Sequence, residues 1–190
     1  HTLAPGRALT TILYLHGFIS SPASRKAVML GDYLRGQAPD VEYLVPALHH
    51  RPAQAIPQVA QLCRGKDPAT LVVVGSSLGG FYATVAAERI GCRAVVLNPA
   101  VHPHRHFARY LGPQENLYTG ERFDLTPEHV AELEALAQEY LSEHGAPEDE
   151  EGVRGPEPQE PPPEPPGMPL PEAVAAHLAV IAEARALVEE

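Results

Sequence analysis

The chain has 190 residues, 44% of them hydrophobic, which favours one globular domain with a sizeable core. Its net charge of −10 comes from its end: residues 1–140 hold 12 basic and 12 acidic side chains, and residues 141–190 hold 2 and 12. No basic region indicates a nucleic-acid partner. No apolar run of about 18 residues and no signal-peptide pattern occur, so we expect a cytoplasmic protein without a membrane partner. The number and spacing of Cys63 and Cys92 fit neither a disulfide framework nor a metal site, so both are expected to be buried thiols.

Strands and helices alternate through the first half of the chain. Apolar runs and periodicity predict strands over residues 9–15, 41–45, 71–74 and 94–97, and helices over residues 24–34, 53–64 and 81–90. Ser24 is expected to cap the first helix, Gly36 to close it and Gly91 to end the third. This alternation predicts a parallel α/β sheet.

The second half of the chain has a different pattern. Residues 102–120 are predicted to form a long polar loop, and no strand is expected after Leu97. Thr126 and Pro127 predict the N-cap and first position of a helix with an apolar stripe. Between residues 147 and 171, ten of 25 residues are proline and seven are acidic, which favours disorder or polyproline II. A last amphipathic helix is predicted from residue 171 onwards.

Ser77 lies where an apolar strand, a tight turn and a helix follow one another. Gly75-Ser76-Ser77-Leu78-Gly79 fits the pattern G-x-S-x-G and precedes an Ala-rich helix. This context predicts a nucleophile elbow, in which a Cβ at Gly75 or Gly79 would crowd the neighbouring strand and helix. The free N–H groups of the helix start could stabilise an oxyanion. The alternative is a plain glycine-rich turn with an incidental serine.

Several longer motifs follow one another over residues 9–140. They are Tyr14-Leu-His-Gly-Phe18, Tyr43-Leu-Val-Pro46, Val74-Gly-Ser-Ser-Leu-Gly-Gly-Phe-Tyr-Ala-Thr84, Leu97-Asn-Pro-Ala-Val101, Tyr110-Leu-Gly-Pro113, Tyr118-Thr-Gly-Glu121 and Leu125-Thr-Pro-Glu-His129. In this order they resemble the YqiA/YcfP-type esterases, a group of small bacterial α/β-hydrolases. The resemblance implies an α/β-hydrolase fold, a parallel sheet flanked by helices, in which the family's last strands are not recognisable here.

The same resemblance implies an activity and three site positions. It implies hydrolysis of a small-molecule carboxylic ester, with short acyl chains, by Ser77 as nucleophile. It also implies an oxyanion hole made by the backbone N–H groups of Phe18 and Leu78. The glycine-rich run has neither a Walker lysine nor dinucleotide spacing, so we expect no cofactor. The predicted domains are a hydrolase core over residues 1–143, a Pro/Glu-rich segment over 144–171 and a helix over 172–190.

The catalytic acid and base of the family are not recognisable after residue 140. In this fold the chain order is serine, acid, histidine, and the only later aspartates are Asp124 and Asp149. His177 is the base candidate that we retain, against its reading as a packing side chain on the last helix. His16 precedes the serine and is expected to fix the oxyanion loop instead.

The remaining histidines have plainer interpretations. His102, His104 and His106 could converge on a metal if they formed a strand, but Pro103 speaks against a strand and we predict no metal site. His129 is expected on the surface of the first turn of its helix. The stretch from His49 to Arg51 is expected to be a solvated loop.

Two functions therefore remain open. The first is a serine carboxylesterase that acts through an acyl-enzyme on Ser77. The alternative is a catalytically inactive or frame-disrupted hydrolase-like protein whose acidic tail serves in a non-enzymatic interaction. The sequence does not define the oligomeric state.

Overall fold

A computed structural model describes residues 10–144 of the chain. The predicted helix over residues 172–190, with His177, and almost all of the Pro/Glu-rich segment lie outside the described residues. In chain order, the elements are β1 (Thr11–Leu15), α1 (Arg25–Gln37), β2 (Glu42–Leu44), α2 (Pro52–Cys63), β3 (Leu71–Ser76), α3 (Leu78–Ile90), β4 (Arg93–Leu97), α4 (Pro103–Phe107), β5 (Gly112–Glu115), β6 (Arg122–Leu125) and α5 (Pro127–His144).

The first four strands form one parallel sheet in the order β2-β1-β3-β4. In this register Leu15 pairs with Gly75, and Ser76 pairs with Leu97. The carboxyl ends of β1, β3 and β4 therefore meet at one edge of the sheet. The loops that follow these three strands are brought together there, which is where parallel α/β sheets place their sites. The predicted parallel α/β architecture is confirmed.

The core is built around β1 and β3, whose residues are buried along their whole length. The apolar side chains of these strands pack with α2, α3 and α5, through residues that include Leu13, Val59, Val73, Tyr82 and Leu133. Each large apolar side chain that is fully buried contributes roughly 1.5–3 kcal/mol to folding. β4 is the outer strand of this sheet among the described residues, and Val96 on it is 41% exposed.

Two of the three predicted helix signals at single residues differ from the structure. Ser24 lies at the N-cap of α1 but makes no capping hydrogen bond, and its Oγ is buried without a partner among residues 10–144. Gly36 lies inside α1, which ends one residue later because the backbone of Ala38 leaves the helical conformation, with φ of −144° and ψ of 63°. Gly91 does end α3 in the left-handed conformation, with φ of 74°.

The prediction that no strand follows Leu97 is wrong. β5 and β6 form an antiparallel hairpin, and α4 lies within the predicted loop of residues 102–120. Each strand has only four residues, and β5 begins with Gly112 and Pro113, two residue types that are depleted in strands, so the alternation of exposed and less exposed positions gives only a weak strand signal. An isolated two-stranded hairpin is marginal in water, and this one is supported by contacts with the loop after β1. None of the helices within residues 10–144 combines the length and apolarity needed to cross a membrane.

Candidate active site

Ser77 occupies a strained turn between β3 and α3. Its backbone has φ of 55° and ψ of −121°, a combination that costs a residue with a Cβ about 1–3 kcal/mol. The turn is fixed by hydrogen bonds on both sides: the Ser77 N–H donates to the carbonyl of Leu97 at 3.1 Å, and the Ser77 carbonyl accepts from the N–H groups of Gly80 and Ala100. Ser77 itself is exposed, whereas its neighbours on both sides are buried. The turn thus presents a serine at the carboxyl edge of the sheet.

The glycines around Ser77 allow backbone to approach backbone. A Cβ on Gly75 would overlap the carbonyl group of Gly79, and a Cβ on Gly79 would overlap the carbonyl oxygen of Leu15. The strand and helix therefore pass too closely for any other residue, as the motif predicts. On the facing loop, a Cβ on Gly17 would lie 3.3 Å from the Cβ of Ser77, so the loop after β1 packs directly against the serine.

Two backbone amides flank this contact. Leu78 is the first residue of α3, where N–H groups have no partner within the helix and the helix dipole favours negative charge. Phe18 follows Gly17 in the loop after β1. No loop or turn hydrogen bond within residues 10–144 uses the N–H of Phe18 or of Leu78 as its donor. Neither amide is therefore committed to such a hydrogen bond, and the oxyanion hole that the resemblance implies at Phe18 and Leu78 stays a prediction.

His16 holds the loop that carries Phe18. Its Nε2 accepts the N–H of Leu48 at 3.1 Å, and its Nδ1 lies 2.9 Å from the carbonyl of Gly17. These partners define a neutral ring with its proton on Nδ1, since the Leu48 amide needs an acceptor. Burial lowers the pKa of His16, which favours the same neutral form. The expected structural role of His16 thus agrees with its contacts.

The hairpin holds the same loop from the other side. Ile19 has φ of 45°, an outlier for a β-branched residue, and its carbonyl accepts the N–H of Leu117. The side-chain amide of Asn116 donates to the carbonyl of Ser20 at 2.8 Å. The ring of Phe18 packs edge-on against the ring of Phe107, with centroids 4.6 Å apart. Sequence reasoning missed this support because it missed the hairpin.

A cavity lies beside the two amides. It is bounded by the loop after β1, by residues 48–50 and by the hairpin, and its walls include Phe18, Leu78, His50, Tyr82, Glu121 and Phe123. The walls therefore combine aromatic and aliphatic side chains with about as many polar ones. The hydroxyl of Tyr82 is one of these groups: Tyr82 is 2% exposed, and its hydroxyl has no hydrogen-bond partner among the described residues.

Two histidines beside the cavity were misplaced by the sequence analysis. His129 is buried at 4% exposure rather than on the surface, and His50 is half-buried rather than in a solvated loop. The Nδ1 of His50 lies 3.0 Å from the Nε2 of His129, and the ring of His50 stacks on Phe123 at 4.2 Å. The partners lie 79 residues apart in the chain, so no local signal marks the pair.

The triad is not completed within residues 10–144. No hydrogen bond there joins the Oγ of Ser77 to a histidine. Asp124 lies in β6, opposite Pro113, and His177 and Asp149 lie outside the described residues. The predicted base at His177 stays a prediction.

The histidines of residues 102–106 do not form a strand, in agreement with the expectation from Pro103. His104 and His106 lie on the short helix α4, and His102 precedes it in the left-handed conformation. Imidazoles two residues apart on a helix point in different directions and cannot share one ion easily. No group of three metal-binding side chains occurs in the described part of the chain.

Comparison with protein families gives one match that spans most of the core. A sequence profile described as "Uncharacterised protein family (UPF0227)" matches residues 11–147. A UPF0227 protein of Pectobacterium carotovorum subsp. carotovorum is 29% identical over 120 residues, which are 63% of this chain and 60% of that protein. A UPF0227 protein of Vibrio atlanticus is 26% identical over 96 residues, which are 50% of this chain and 54% of that protein. The chain thus spans somewhat over half the length of these relatives.

Solved structures share the fold at low sequence identity. A protein of Agrobacterium vitis S4 assigned as a hydrolase superposes with a TM-score of 0.52 at 16% identity, covering 68% of this chain and 64% of that one. The α/β hydrolase domain-containing protein 10 of mouse gives a TM-score of 0.49 at 14% identity, covering 66% and 61% of the two chains. The four-stranded parallel sheet and its flanking helices are those of an α/β-hydrolase.

Proposed function

The chain belongs to the UPF0227 family, the YqiA/YcfP-type group of small bacterial α/β-hydrolases, and from this premise we propose that it is a serine carboxylesterase acting through Ser77. The observation that carries the proposal is the placement of Ser77. An exposed serine sits on a strained turn, between the loop that carries the Phe18 amide and the helix start that carries the Leu78 amide. A structural serine has no need of this strain, whereas a nucleophile must be presented to a substrate.

The proposed reaction has two halves. The Oγ of Ser77 attacks the ester carbonyl carbon. The carbonyl oxygen becomes an oxyanion that accepts hydrogen bonds from the N–H groups of Phe18 and Leu78. The C–O bond to the alcohol then breaks, and the alcohol leaves with the proton taken from Ser77. Water attacks the acyl-enzyme in the second half, which releases the carboxylic acid and restores the serine.

The base is the part of this mechanism that residues 10–144 do not supply. A serine hydroxyl is a weak nucleophile until a base takes its proton. His177 is our candidate for this role. The substrate's short acyl chain and the cytoplasmic location likewise remain predictions. The alternative, an inactive hydrolase-like protein with an interaction tail, rests on a segment outside the described residues and gains no support from the comparisons.

Covalent labelling tests the proposal. We expect a fluorophosphonate probe to add one adduct to the full chain, detected by intact mass, and Ser77→Ala to abolish it. Ser76→Ala is the matched control, because Ser76 is the neighbouring serine but is buried, with its Oγ 3.4 Å from the Nζ of Lys26. That variant should still be labelled.

The same experiment separates the two functions. If His177 is the base, His177→Ala should slow labelling by at least tenfold while leaving the melting temperature within a few degrees. A folded wild-type chain that takes up no probe would contradict the esterase and favour the inactive alternative.

A further inference from the structure

The Tyr82 hydroxyl is a buried donor for which the described residues provide no acceptor. Tyr82 lies on α3, one turn after Leu78, and both residues line the cavity. Burial raises the pKa of Tyr82, so the hydroxyl keeps its proton. Buried polar groups are nearly always hydrogen-bonded, and an exception in a cavity wall calls for an explanation. A ligand atom that accepts this O–H provides one.

His50 also lines this cavity and carries a second donor. The Nδ1 of His129 lies 3.2 Å from the N–H of Thr126, which can only donate, so the neutral ring of His129 carries its proton on Nε2. That Nε2–H donates to the Nδ1 of His50, which leaves the proton of His50 on its own Nε2. The Nε2–H faces away from His129, and burial lowers the pKa of both rings, which favours the neutral pair.

From these two donors we propose that the cavity binds a second oxygen of the substrate, a hydroxyl or keto oxygen carried near the scissile ester. The proposal rests on the proposed esterase function and names its substrate class: esters with an oxygenated short chain in preference to plain alkanoyl esters. The Tyr82 hydroxyl donates to this oxygen, and the Nε2–H of His50 orients it.

The other walls of the cavity limit which substrate substituent it can bind. Glu121 lines it with a carboxylate, which repels an anionic substituent and can accept a hydrogen bond from a hydroxyl. Phe18 and Phe123 provide apolar surface for the carbon chain. A neutral oxygenated chain fits both features better than a carboxylate or a bare hydrocarbon.

Matched ester pairs test the proposal on the full chain. On the acyl side the pair is p-nitrophenyl 3-hydroxybutyrate and p-nitrophenyl butyrate; on the alcohol side it is 2-hydroxyethyl butyrate and ethyl butyrate. We expect kcat/KM to favour the hydroxylated member of one pair by about tenfold, since a site built to bind a polar group discriminates against its absence. The pair that shows the preference locates the second oxygen.

Tyr82→Phe removes the proposed donor and nothing else. The tenfold preference should fall to about one in this variant, and its melting temperature should not fall, because the lost hydroxyl has no hydrogen-bond partner among residues 10–144. Tyr43→Phe is the matched control: the Tyr43 hydroxyl donates to the carbonyl of Ala27 at 2.8 Å, away from the cavity. That variant should keep the preference and melt at a lower temperature.

Three results would overturn the inference: ratios near one in both ester pairs, a preference that survives in Tyr82→Phe, or a melting temperature of Tyr82→Phe that drops as far as that of Tyr43→Phe. Its failure is distinguishable from that of the esterase. A chain labelled at Ser77 but without preference keeps the esterase and loses the subsite. If the chain is not labelled at Ser77, the subsite is tested by binding instead: each ester of the two pairs is titrated into Ser77→Ala by calorimetry. Tenfold tighter binding of a hydroxylated ester supports the subsite, and equal binding within both pairs refutes it.

Discussion

The side-chain amide of Asn116 joins the β5–β6 hairpin to the oxyanion loop, through a hydrogen bond of 2.8 Å from its Nδ2 to the carbonyl of Ser20. Its Oδ1 accepts the N–H groups of Tyr118 and Thr119, so the same side chain also fixes the turn of the hairpin. Asn116 thus connects two segments that lie 96 residues apart. In the proposed mechanism it is a positioning residue, since it holds the loop that carries the Phe18 amide.

Asn116→Ala should lower kcat by about tenfold or more and change KM less. The reason is that a small displacement of an oxyanion donor weakens transition-state binding more than ground-state binding. Steady-state kinetics with a short-chain ester measures the split. Gln114→Ala is the control, because Gln114 donates to the carbonyl of Tyr110 within the same region and does not reach the loop. Equal losses in both variants would refute the positioning role.

Glycine-to-alanine substitutions should have opposite effects at two positions. Gly79→Ala forces a Cβ into the backbone of Leu15, and we expect little folded protein because backbone atoms on a buried strand cannot give way. Gly36→Ala places its Cβ in open space on α1 and should stabilise the fold by about 0.5–1 kcal/mol. Expression and urea unfolding measure both. A normally folded Gly79→Ala variant would contradict the elbow geometry.

Stability should decline as the pH falls from about 7.5 to 5.5. Burial is the largest cause that lowers the pKa of His16, His50 and His129 below the ordinary value of 6.5. As the pH falls, these three histidines therefore take up protons in the unfolded chain before they do so in the folded chain. Their contribution to the free energy of unfolding is complete above pH 6.5 and is lost as the pH falls towards the folded-state pKa values.

His129→Gln provides the test of this pH dependence. Around His129, Arg51 and His49 also lower its pKa, while Glu132 and Glu128 raise it. The variant should unfold more easily at pH 7.5 and lose less further stability by pH 5.5 than the wild type, as measured by urea titrations at both values. Parallel pH curves for the two proteins would show that His129 does not carry the effect.

Two ion pairs of α5 should contribute different amounts to the free energy of unfolding. Glu132 accepts from the side chain of Arg51 and from the N–H of Ala53 in the first turn of α2. Glu132→Ala should therefore cost about 1.5–3 kcal/mol, because charged hydrogen bonds to a partly buried carboxylate are lost. Glu139→Ala breaks an exposed pair with Arg89 and should cost about 0.5 kcal/mol or less. Urea unfolding at low and high salt compares them, and equal costs would contradict the argument.

The sequence by itself determined the parallel sheet and the tight strand-to-helix turn at Ser77. Both depend on local signals: apolar runs long enough to be buried strands, and glycines at positions where the backbone leaves no room for a side chain. The motif order was enough to indicate the family.

Only the tertiary structure decided what surrounds the serine. The β5–β6 hairpin has strands of only four residues, and β5 begins with Gly112 and Pro113, so contacts with the loop after β1 rather than local propensity hold it in place. His50 and His129 become a buried pair, and Tyr82 a cavity wall, because distant segments pack together at one edge of the sheet. Such contacts are set by the summed packing of the whole core, and a residue's neighbours in the chain do not encode them.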